Sequence, residues 1–197
     1  QELVRAAPRS VALSGGGTAG ECYEEVARRP FDWSAVDIYF GDDRFVPPDH
    51  EDSNEGLARR TLLDACPPHS IHGMYHPGTV EAAADHYDAL MRAVLPLDLV
   101  HLGLGPDGHT ASLFPGSSAL DEHERMVIAA SSEHHPHPRV TFTFAAIEKC
   151  PLVLVTVAGA EKRDAMTRIA AGEDLPGARI RAERVVWLVD SAAAPEH

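Results

Sequence analysis

The sequence predicts an α/β fold: an open, mainly parallel, doubly wound (Rossmann-like) sheet with helices on both faces. Three observations carry this. Residues 97–104, 152–157 and 185–189 are apolar runs without alternation, as in strands buried on both faces. Stretches with helical spacing of apolar residues fall between the strand-like runs. Turn-forming residues and charges follow the strand ends, where ligands bind in open α/β sheets.

In chain order, residues 2–7 read as the tail of a helix and Ser10–Leu13 as the first strand. Ser14-Gly15-Gly16-Gly17-Thr18 breaks that run, after which Ala19, Cys22, Tyr23, Val26 and Ala27 share a helical face. Thr18 and Glu21 have capping-box spacing, which predicts Thr18 as the N-cap. A glycine loop entering a helix presents amides to an anion, although the same residues also make an ordinary tight turn. It is not a Walker A loop, because no Gly-Lys-Ser/Thr follows. The second strand, 36–40, runs into Gly41-Asp42-Asp43-Arg44, a charged cluster that reads either as a site or as a solvated ion pair in a loop. Asp52-Ser53-Asn54-Glu55 opens a helix towards Leu63, and Thr79 caps another with Val80, Ala83, Ala84, Tyr87, Met91 and Val94 on one face. Residues 126–130 and 140–144 read as strands. Between them, His134-His135-Pro136-His137-Pro138-Arg139 reads as a surface loop: prolines break the spacing a metal would need, and no acidic residue sits in step. Gly159-Ala160-Glu161-Lys162 turns from a strand into a helix that packs Ala165, Met166, Ile169 and Ala170.

Composition narrows the function. The 197 residues suit one domain over 1–197, without repeat or linker. No run reaches the roughly 18 apolar residues of a membrane span, and no signal peptide is visible at the start at Gln1. Cys22, Cys66 and Cys150 are far apart and odd in number, so reduced thiols in the cytoplasm are expected, not a disulfide or zinc framework. The net charge of −13 argues against nucleic acid and acidic membranes as partners. An anionic small substrate then needs a local basic site, and the chain has only two lysines, Lys149 and Lys162.

The most distinctive stretch follows the third strand: Gly105-Pro106-Asp107-Gly108-His109-Thr110-Ala111-Ser112-Leu113-Phe114-Pro115-Gly116. Residues 103–108 also fit G-x-G-x-x-G, but off the first strand, without an acidic strand tip roughly 20 residues later, and with a proline in place of an amide donor. No G-x-S-x-G elbow or metal-spaced ligand set is present, so neither metal nor cofactor is expected. His109 remains as general base, since imidazoles titrate near neutrality, or as a capping histidine, with Asp107 placed to orient it. The 14–18 loop, Asp42 to Arg44, Asp107 to His109, and Lys162 each follow a strand end, so four clusters meet on one rim.

GPDGHTASLFPG resembles the signature of the 6-phosphogluconolactonase family, and the likeness spans nearly the whole chain. VALSGGGT is similar to the family's SGGST-type phosphate loop, Asp42-Asp43-Arg44 to its DER motif, and Ser53-Asn54 to its following Ser-Asn. Arg139-Val140-Thr141-Phe142-Thr143 is similar to its RITLT strand, and residues 159–162 to its GxxK. Gly17, Phe40 and Asp43 depart from the usual Ser, Trp and Glu, and the family's N-terminal helix is largely missing. The resemblance implies hydrolysis of 6-phosphoglucono-δ-lactone, a sugar-phosphate lactone, without metal or cofactor, by a monomer or weak homodimer in the cytoplasm. It implies that His109 takes a proton from water, that Asp107 holds that arrangement, and that Arg44 or turn amides meet the developing oxyanion, with Asp43 beside them. Ser14, Gly15, Gly16, Gly17, Thr18, Asp42, Asn54, Arg139 and Lys162 would then bind the substrate and its phosphate. Two alternatives stand beside it: a glucosamine-6-phosphate deaminase or related isomerase, and a non-catalytic sugar-phosphate-binding module.

Overall fold

A computed structural model describes residues 2–131 and 136–195. The chain runs α1 (Glu2–Ala6), β1 (Ser10–Leu13), α2 (Gly17–Ala27), β2 (Asp37–Phe40), β3 (Asp42–Arg44), α3 (Asn54–Ala58), β4 (Ser70–Ile71) and α4 (Val80–Val94). It continues through β5 (Leu99–Gly103), β6 (Val127–Ala130), β7 (Arg139–Phe142), α5 (Phe144–Ile147), β8 (Leu152–Val157), α6 (Arg163–Ala170) and β9 (Arg184–Val189).

Six strands form a parallel sheet in the order β4-β2-β1-β5-β8-β9. Its middle strands are apolar because both faces are covered: Val11, Ile38, Phe40, Val100, Leu102, Val153 and Val155 are fully buried. Thr79 caps α4 by accepting from the Ala82 amide, as the sequence predicts. Ala83, Ala84, Tyr87 and Met91 of α4 are buried. The Tyr87 hydroxyl accepts from the Phe40 amide and donates to the His72 carbonyl, which locks α4 to the end of β2.

Of the two readings of residues 42–44, the structure rules out the solvated loop: they are a strand in a second, antiparallel sheet of order β3-β7-β6. Three charged residues carry no strand signal of their own. Their extended form comes from β7, which pairs Asp42 with Thr141 and Arg44 with Arg139 across nearly 100 residues of sequence. The helix predicted from Ser53 towards Leu63 is α3 followed by a π-helical turn, Arg59–Leu63. His134 and His135 lie outside the described residues. No helix among the described residues is long and apolar enough to cross a membrane.

Candidate active site

The strand order turns at β1, which lies between β2 and β5. The loops leaving β1 and β5 therefore diverge at the carboxyl edge of the sheet and open a crevice. A cavity of about 230 Å³ sits there.

The first wall is the loop after β1, residues 14–18. The Tyr23 hydroxyl accepts from the Ser14 amide at 2.9 Å and donates to the Ser14 carbonyl at 2.8 Å, so α2 pins the start of its own entry loop. Thr18 is not the cap. Gly16, at φ 90°, takes that position without a side-chain bond, and the helix starts at Gly17. A glycine here reaches the left-handed region at no steric cost and lets the helix begin early. Thr18 consequently faces the cavity in the first turn, beside Ser14, Gly15, Gly16 and Gly17.

The opposite wall is the turn after β5. Its backbone closes on itself, with the Gly105 amide donating to the His109 carbonyl and the Gly108 amide to the Gly105 carbonyl. His109 lines the cavity, and its Nδ1 lies 2.5 Å from Oδ1 of Asp107, which also accepts the His109 amide. Burial would raise the Asp107 carboxyl, but the hydrogen bond and charge of His109 outweigh it and bring it down to about 2. An ionised Asp107 makes Nδ1 the protonated nitrogen, so Nε2 carries the lone pair. A Cβ on Gly105 would fall on the His109 ring, which is why glycine stands there. Asp107 itself is outside the cavity lining and meets it only through its contact with His109.

The floor comes from the second sheet. Asp42 is buried and accepts from the Ser112 hydroxyl at 2.7 Å, while the Asn54 side-chain amide donates to the Asp42 carbonyl. Asp43 points away from the cavity into the start of α3. It accepts from the amides of Arg44, Asn54 and Glu55 and from the Ser53 hydroxyl. Burial pushes its carboxyl up to about 7, against those amides, which favour the carboxylate. Ser53 caps α3 through the Gly56 amide. Arg44 stands directly opposite Arg139, and both line the cavity together with Asp42, Asn54 and Lys162. Nε of Arg139 is buried without a hydrogen-bond partner. Burial, and then the Arg44 charge, lower the Arg139 pKa, opposed by Asp42 and Asp43. Like charges placed opposite across strands are unfavourable in themselves, and the carboxylates of Asp42, Asp43 and Asp52 offset them in part.

Sequence reasoning missed a buried network under the loop. His101 of β5 meets the Tyr23 hydroxyl through Nδ1 at 3.0 Å and the Thr156 hydroxyl through Nε2 at 2.9 Å. Burial holds His101 down to about 4 and neutral. Its signal was present: a histidine inside an otherwise apolar strand must find partners. Ser112 was also legible only as part of a motif. At the rim, His137 Nε2 lies 3.0 Å from Asp52 Oδ2, so the acidic partner absent from the local sequence arrives from 85 residues away.

Fold and site together define a doubly wound α/β protein with a cationic cleft and a His–Asp pair at the switch point. Residues 2–187 match the model of the glucosamine-6-phosphate isomerase/6-phosphogluconolactonase family, and the chain belongs to that family. A 6-phosphogluconolactonase of Nostoc sp. is 36% identical over 203 residues, covering 95% of this chain and 84% of that protein. The crystal structure of 6-phosphogluconolactonase from Thermotoga maritima superposes with a TM-score of 0.85 at 31% identity, covering 95% and 92% of the two chains. A monomeric glucosamine-6-phosphate deaminase shares the fold, with a TM-score of 0.82 at 17% identity over 96% and 91%.

Proposed function

We propose that the chain hydrolyses 6-phospho-D-glucono-1,5-lactone to 6-phospho-D-gluconate, the step that its relatives' name denotes in the oxidative pentose phosphate pathway. The observation that carries this reading is that Arg44, paired with Arg139, lines one small cavity together with Lys162 and with His109, whose Nδ1 meets Asp107. The cations suit a phosphate and a developing oxyanion; the His–Asp pair suits activation of water.

In this mechanism His109 Nε2 takes a proton from water while the hydroxide adds to the lactone carbonyl carbon. Asp107 holds the ring and stabilises the imidazolium. Arg44, or an amide of the 105–109 turn, meets the oxyanion. The tetrahedral centre then expels the ring oxygen, which takes the proton back from His109, and the acid ionises. The 14–18 loop, Arg139 and Lys162 hold the phosphate, so remote binding fixes the carbonyl near the base. Asp42 and Asn54 shape the floor and Asp43 sets Arg44. Residues 1–197 serve as one domain, in the cytoplasm, as a monomer or weak homodimer.

The test follows acid release from freshly made lactone, with glucosamine 6-phosphate as the comparison substrate. The expected result is acid release well above the spontaneous rate and no ammonia from the amino sugar. Ammonia release without lactone turnover would replace this reading with the deaminase.

A further inference from the structure

We propose that His50, Asp52 and His137 bind one divalent transition-metal ion of borderline softness, such as zinc, cobalt or nickel, beside the cleft. One potential ligand atom from each lies within 4.8 Å of the others. Oδ2 of Asp52 is 3.0 Å from His137 Nε2 and 3.9 Å from His50 Nδ1. A tetrahedral ion with bonds of about 2.0–2.1 Å keeps its ligand atoms roughly 3.3 Å apart. The two distances bracket that value and the third edge, from His50 to His137, is within 4.8 Å, so rotation of the two imidazoles completes the set. Two imidazoles and a carboxylate favour these ions over calcium and magnesium, which prefer oxygen alone.

The backbone holds the three residues in place. The His50 amide donates to Pro47, Ser53 to the His50 carbonyl, and Phe45 to Pro138, which ties the loop to the approach to β7. Arg44 Nη1 donates to the Asp52 carbonyl oxygen. The imidazole rings of His50 and His137 stand edge to face, 5.4 Å apart. The side chains are 39%, 46% and 27% exposed for His50, Asp52 and His137, which lets an ion enter and leaves its fourth position to water.

The ion takes the position of the proton between His137 Nε2 and Asp52, and a neutral His137 keeps its hydrogen on Nδ1. At His50 it takes the Nδ1 lone pair that otherwise accepts the Asp52 amide at 3.1 Å, and that amide turns to water. None of the three residues lines the cavity, so the ion is an accessory to the reaction and braces the loop that Arg44 grips.

Cobalt(II) titration of the untagged full chain, followed by visible d–d absorption and displaced by zinc, tests this without measuring turnover. One cobalt per chain with a tetrahedral-type spectrum is expected. His50→Ala, His137→Ala and Asp52→Asn should each weaken it at least about 10-fold, the loss that removal of even an outer partner causes. The His50→Ala/His137→Ala double variant should abolish it, with thermal melts confirming that each variant is folded. A parent chain with no saturable spectrum, a double variant that binds as before, or loss of the signal in His109→Asn instead would each overturn the site.

Discussion

Lys162 shows how one residue can be read from sequence yet owe its position to the fold. It is one of only two lysines in the chain and follows a strand-like run. In the structure it closes the 3₁₀ turn Ala160–Lys162 after β8 and reaches the cavity, with its side chain 18% exposed and Glu161 at 4.0 Å. In the proposed reaction it binds phosphate. Charge-assisted contacts of this kind contribute about 1.5–3 kcal/mol, or roughly 10- to 150-fold in binding. Lys162→Ala is therefore expected to raise KM by that factor, with a smaller fall in kcat. Steady-state kinetics with inhibition by 6-phosphogluconate check it; unchanged KM and inhibition would remove Lys162 from the site. His109 was legible for a similar reason, because its motif is local. For His101 the sequence shows only that a histidine in an apolar strand needs partners; which ones, Tyr23 and Thr156, is set by other elements.

At the scale of elements, the apolar strands and the capped helix α4 were legible because their signals are contained in their own residues. The two-residue β4 is too short to carry a period, and β3 is made a strand by β7. The capping box at Thr18 misled because Gly16 at positive φ offered an earlier start. Asp43, which the family resemblance implies stands with the catalytic groups, is a residue 3% exposed whose carboxyl accepts from the first amides of α3. Asp43→Ala would leave those buried amides and the Ser53 hydroxyl short of an acceptor. We expect a loss of about 2–4 kcal/mol in urea unfolding, with KM raised because Asn54 and Arg44 shift. A loss below about 0.5 kcal/mol would show that the clamp does not hold α3.

Over the whole molecule, the fold class follows from the order of apolar runs, and the place of the cleft from the reversal of strand order at β1. The same packing buries His101 in the centre of the sheet. Its folded pKa of about 4 lies below the ordinary histidine value near ~6.5. Between those values the unfolded chain takes up a proton that the folded chain refuses, so stability falls as pH drops through that window and is fully present above it. The full loss from this group is about 3 kcal/mol. Asp107, brought down to about 2, loses its contribution only as pH falls from the ordinary aspartate value towards 2, below most of this range. Urea unfolding at pH 7 and pH 4.5 should show a decline that is smaller by about 2–3 kcal/mol in His101→Gln than in the parent. Equal declines would show that His101 does not report the burial of this network.

In the proposed reaction His109 is the base that activates water. The measurement that tests it most directly is kcat/KM against pH for the parent and for His109→Asn, with spontaneous lactone opening subtracted. Thermal melts with and without 6-phosphogluconate show in parallel that fold and product binding persist. Asparagine keeps the shape and hydrogen bonding of the side chain but cannot take the proton. The expected result is a loss of about 10²–10⁴-fold, together with disappearance of the acid limb of the parent's profile. A folded His109→Asn protein that binds product and retains near-parental turnover would contradict it.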